Sequence, residues 1–267
     1  MQQDNTNVNN GAVETIAKQI SPDGPLAPTR IGERALLLSP VQGLILSGLI
    51  ALLVWGGLEV MLPVFELPKH LQELSGNAPE AQQKELMAAS VAISNKDAAL
   101  SLGLLASTLS LFLTIAEVKL RSQGLKAILG GMLAILIAGA FAVGGGFLGG
   151  TVAASAALPE DLLARTIVVQ GTMFGCVGLG VGAGVAFAVM LPILRLRLLA
   201  TCLTSGMLGG LLAGLIFPFA ASILLPNART EVLMPDPGIS RFLWLALASI
   251  PTALTLTGIG KEGKTGR

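Results

Sequence analysis

His70 is the single histidine of the chain, and it stands in a polar stretch with Glu66, Lys69 and Glu73. One imidazole cannot build a bis-imidazole haem or a multi-histidine zinc site, and no cysteine or acidic cluster beside it supplies the missing ligands. Nor does the order of residues bring a serine to it as a nucleophile. Cys176 and Cys202 are the two cysteines. Both fall in apolar runs, where a thiol behaves as a small hydrophobe, and no disulfide framework follows. The run Gly258-Ile-Gly-Lys-Glu-Gly-Lys-Thr has the outline of a phosphate-cradling loop but lacks the helix that must follow it. It reads as a basic tail. No catalytic residue, metal site or cofactor is expected, and the chain reads as a non-enzyme.

Other polar residues stand inside or beside apolar runs. Gln170 lies within one such run, where it can hydrogen-bond across a helix pair or line a pathway. Arg165 and Arg241 each precede a run. Together they could face a vestibule that attracts anions or lipid headgroups, but the plainer expectation is that they snorkel to the interface. Arg165 also has a local partner, Asp161, four residues earlier, with Pro159 placed to begin the helix. Glu59 and Glu117 stand near run ends, where interfacial water can solvate them.

The elements that must position these groups are apolar helices. Hydrophobic residues make up 52% of the 267 and charged residues 12%, with a mean hydropathy of +0.75. Soluble domains carry about a quarter charged residues, so the composition is that of a membrane protein. The formal net charge of +1 offers no basic footprint for nucleic acid. Glycine is concentrated between Lys126 and Pro226. Gly171, Gly175, Gly178 and Gly182, spaced by four, three and four, share one helix face. In water each would weaken a helix by roughly 0.5–1 kcal/mol relative to alanine. In lipid a glycine face lets a second helix approach closely, so Gly146, Gly150, Gly171, Gly175, Gly178, Gly182, Gly206, Gly210 and Gly214 are the expected helix-packing residues.

Apolar runs predict six spans, at about 40–62, 97–118, 127–150, 166–191, 198–222 and 241–260. The fold class is therefore an all-α, polytopic transmembrane bundle over 35–260. Residues 1–34 read as a disordered, pre-membrane tail and 261–267 as a basic tail. The polar insertion 63–96 is expected to form amphipathic segments on the membrane surface, with Asn95 or Asp97 capping the second span. Pro218 and Pro251 fall inside the last two spans and shape their packing. Eleven of the seventeen Lys and Arg residues lie in the tails and the two connections on one side. The positive-inside rule puts both termini in the cytoplasm, in a bacterial inner membrane, and an even span count agrees.

Two sections of the chain are alike. Gly146-Phe-Leu-Gly-Gly corresponds to Gly206-Met-Leu-Gly-Gly, and Ala154-Ser155 before Leu158-Pro159 corresponds to Ala221-Ser222 before Leu225-Pro226. Pro159 and Pro235 each precede an arginine, Arg165 and Arg241, by six residues. The simplest unit is a helical hairpin repeated in tandem and in parallel orientation, unlike the inverted repeats of many transporters. The Asn95-Lys-Asp-Ala-Ala-Leu start of the second span, Glu117 at its exit, the glycine-rich third to fifth spans and the Pro-to-Arg approach to the sixth resemble a group of glycine-rich, six-span bacterial membrane proteins of no assigned activity. That resemblance implies architecture and supplies no catalytic or binding residue.

The leading functional expectation is a non-enzymatic scaffold or accessory component, in contact with lipid and with a membrane-protein partner or a second copy of the chain. The alternative is a transporter or channel for a small neutral or weakly polar solute, drawing on the repeat, Gln170 and the prolines. Ion coupling finds no support at this level, because no carboxylate falls in mid-span.

Overall fold

The structure is a computed structural model that describes residues 38–72, 79–120, 124–155, 158–190, 196–225, 233–235 and 238–258. The expected tails at 1–34 and 261–267, and the basic residues Arg121 and Arg195, lie outside these. The described residues are helices and their connections, with no strand among them. Six helices are long and apolar enough to cross a bilayer, and the chain is an integral membrane protein. They are α1 (Pro40–Met61), α2 (Glu80–Leu120), α3 (Gly124–Ala153), α4 (Leu162–Met190), α5 (Leu196–Leu224) and α6 (Ile239–Gly258).

Local chemistry explains the helix starts. Ser39 caps α1 through a capping box: its hydroxyl accepts from the Gln42 amide, the Gln42 side chain accepts from the Ser39 amide at 2.9 Å, and Pro40 occupies the first turn. At α4 the Asp161 carboxylate accepts from the Ala164 amide at 2.9 Å, so Asp161 is the cap and the helix begins after it rather than at Pro159. Gly238, at φ 93°, makes the turn into α6 that a side chain would disfavour.

The expected cap on the second span is not one. Asn95 and Asp97 lie in the interior of α2, a single 41-residue helix that begins at Glu80. At 1.5 Å per residue it is about 60 Å long, twice a hydrocarbon core. The second half of the polar insertion therefore runs straight into the span. Its first turns are exposed and held by a Glu80–Lys84 pair at 2.8 Å and a Glu85–His70 contact at 3.3 Å, His70 lying in the four-residue helix Lys69–Gln72.

The helices assemble as a triangle. α1 packs on α2 and α6, α3 on α2 and α4, and α5 on α4 and α6, while α2, α4 and α6 pack on one another. The odd helices are thus the corners and the even helices meet at the centre. Burial follows that rank: 78%, 61% and 50% of the apolar windows of α4, α2 and α6 are buried, against 28%, 33% and 39% for α1, α3 and α5. The corners present Leu49, Leu53, Leu136 and Leu212 outward, as a lipid-facing surface requires.

A candidate polar site where the inner helices meet

The tight packing of α4 against α5 fixes the site's frame. A methyl group added at Gly178 would overlap the Gly206 carbonyl, at Gly182 the Cys202 carbonyl, at Gly210 the Phe174 carbonyl and at Gly214 the Gly171 backbone. Here the backbones themselves touch. On α3, Gly146 lies against the Ala99 backbone and Gly150 against the Asn95 side chain of α2. Gly171 and Gly175 differ, since an added methyl would meet only the Leu211 side chain, nearest at 3.9 and 3.3 Å. They line an open apolar groove of about 480 Å³ with Cys176, Leu179 and Met207.

Arg241, from the first turn of α6, is 5% exposed. Its guanidinium donates to Glu59 Oε1, near the end of α1, at 2.9 Å. The same oxygen accepts from the Gly238 amide at 3.3 Å, and the Trp55 indole donates to the Gly238 carbonyl at 3.1 Å. Arg241 therefore does not snorkel. Packing of α6 against α1 draws it inward, and Glu59 offsets the loss of water. Arg165, expected to match it, stays exposed and donates to the Ala153 carbonyl. The two arginines thus take different partners, Glu59 for Arg241 and the Ala153 carbonyl for Arg165.

Gln170 brings α4 to the same end. Its side-chain oxygen accepts from the Trp244 indole at 2.8 Å, and its amide donates to the Leu233 carbonyl at 3.5 Å. Trp244 is fully buried against Phe174, which in turn meets Phe217, with ring centroids 5.5 and 6.2 Å apart. This aromatic block closes the apolar side of the site.

Asp97 completes it from α2. It is 6% exposed and lies in the field of Arg241. Its Oδ1 and Arg241 Nε are buried without hydrogen-bond partners among the described residues. One turn further, the Ser101 hydroxyl donates to the Asp97 carbonyl at 2.7 Å and contacts Met234. Two carboxylates and one guanidinium thus gather where α2, α4 and α6 meet, beside an amide and an indole. Such a set can hold a small polar group through complementary hydrogen bonds, or exchange a proton.

Asp97 was legible in the sequence only as a cap, because the helix was expected to start there. Glu117 also departs from expectation: it is fully buried at the far end of α2 and accepts from the Leu38 amide at 3.2 Å. The spans therefore do enclose carboxylates. Among the described residues no group of three or more His, Cys, Asp or Glu is arranged to hold a metal ion. No family model, curated protein or solved structure matches the chain.

Proposed function

We propose that this protein is a non-enzymatic carrier of a small polar solute, with its path along the junction of α2, α4 and α6. The observation that carries the reading is the withdrawal of Asp97, Arg241 and Gln170 from lipid at that junction. Ionisable groups are expensive inside a membrane and mark pathways. The glycine faces that motivated a scaffold are used within the chain, α4 against α5 and α3 against α2. The test is flux into liposomes holding the purified protein, with neutral, zwitterionic, cationic and anionic solutes. Expected is uptake of one class, reduced at least tenfold by Arg241→Met; a folded preparation that passes none of them sinks the reading.

Each pair α1–α2, α3–α4 and α5–α6 contributes one corner and one central helix. That regularity supports a tandem arrangement of three parallel hairpins. We place it in a bacterial inner membrane with both termini cytoplasmic, and side-specific reporters fused at the two ends should report the same side.

The scaffold reading keeps one specific support, the apolar groove at Gly171 and Gly175, which is open to a partner helix. Native mass spectrometry from a mild extract separates the two: a stoichiometric protein partner or defined oligomer favours the scaffold, and a monomer with a bound small molecule favours the carrier.

A further inference from the structure

We propose that residues 233–235, between α5 and α6, are a strap that closes the junction of α2, α4 and α6 and lifts to admit the solute. What passes beneath it rests on the carrier reading; that it covers the junction rests on its own contacts. Leu233 is 8% exposed and belongs to the hydrophobic core, and Pro235 is buried as well. The Leu233 carbonyl accepts from the Gln170 amide of α4 at 3.5 Å, and the Ser101 hydroxyl of α2 contacts the Met234 sulfur at 3.3 Å. A non-helical stretch is thus seated on two of the three central helices. Its partners there are the residue that holds Trp244 and the residue one turn from Asp97.

The seat is weaker than the contacts around it. A thioether is a poor acceptor, and 3.5 Å lies beyond the usual range for an amide donor. Gln170 meets Trp244 at 2.8 Å, by contrast, and Arg241 meets Glu59 at 2.9 Å. Among the described residues none ties 233–235 down through a backbone-to-backbone hydrogen bond. The strap is therefore held chiefly by the burial of Leu233, an apolar contact that can break and re-form without stranding a charge. Further along, Gly238 is fixed on both sides: its amide donates to Glu59 at 3.3 Å and its carbonyl accepts from Trp55 at 3.1 Å. That residue is the anchored end, and 233–235 the end that moves. Lifting them takes the Leu233 carbonyl off the Gln170 amide, where an acceptor on the solute can replace it.

The test places a reporter thiol under the strap with Ser101→Cys, in the full chain in lipid nanodiscs. A charged methanethiosulfonate that does not enter lipid is added, and digestion with mass spectrometry reads residue 101 apart from Cys176 and Cys202. Lys96→Cys, at an exposed position on the same helix, is the reference. Expected is complete modification at 101, about a hundredfold slower than at 96, because it waits on local opening. Leu233→Ala should raise the rate at 101 at least about tenfold and leave the rate at 96 unchanged, since it removes the buried side chain that holds the strap. Equal rates at 101 and 96 in the parent, or a rate at 101 that Leu233→Ala does not change, overturn the strap. A second measurement does not depend on how that variant folds. Ser101→Cys combined with Met234→Cys should cross-link on oxidation with copper phenanthroline, stop uptake of the solute class that the parent carries, and recover on reduction. Uptake that continues through a complete cross-link overturns the strap. If the labelling results hold while the parent carries no solute, the strap stands and the carrier reading falls.

Discussion

Arg241 and Glu59 carry opposite charges across the α1–α6 contact, with side chains 7% and 29% exposed. Removing one partner of a buried pair leaves the other charge uncompensated, at roughly 3–5 kcal/mol. Arg241→Met should therefore lower the unfolding free energy in detergent by about that amount. Adding Glu59→Gln should recover part of the loss and not all of it, because Asp97 still carries its charge; full recovery would mean that Asp97 does not feel Arg241. Gln170→Leu strands the Trp244 indole N–H in an apolar setting, and its cost should be about 1–3 kcal/mol by the same unfolding measurement. The sequence singled out Gln170 and Arg241 because polar residues beside apolar runs are conspicuous. It misjudged Asp97, Glu117 and the depth of Arg241, because exposure depends on which helix lies alongside.

Among the elements, α4 and α5 rank their glycines by what each one faces. Gly178, Gly182, Gly210 and Gly214 meet backbone, which cannot yield, whereas Gly171 and Gly175 meet a flexible leucine end or open space. Gly178→Ala and Gly214→Ala should separate the two helices and abolish a monodisperse extract. Gly171→Ala should leave extraction and melting temperature unchanged or slightly raised, since alanine is the better helix former by roughly 0.5–1 kcal/mol. Equal effects at Gly171 and Gly178 would show that backbone contact does not hold the pair. The spacing in the sequence placed all four α4 glycines on one face but could not separate them, because the face of α5 that opposes each is set by the crossing of two helices.

At the scale of the molecule, three corner helices shield three central ones. A carbene-generating label dissolved in the lipid phase should therefore mark α1 and α3 heavily. On α4 it should mark the groove residues, Val168, Thr172 and Cys176, and spare Met173, Phe174 and Val177. Digestion and mass spectrometry read the pattern, and uniform labelling around α4 would rule out the triangular arrangement.

The apolar runs by themselves determined that six helices cross a bilayer and nearly where each lies, because a backbone in hydrocarbon must satisfy its own hydrogen bonds within a segment of set length. The tertiary structure decided that α2 continues outward to Glu80, that the even helices form the centre, and that Asp97, Glu59 and Arg241 converge. Those outcomes depend on contacts between residues as far apart as Glu59 and Arg241. Hydropathy along a chain records how apolar a segment is, and it holds no information on which faces meet.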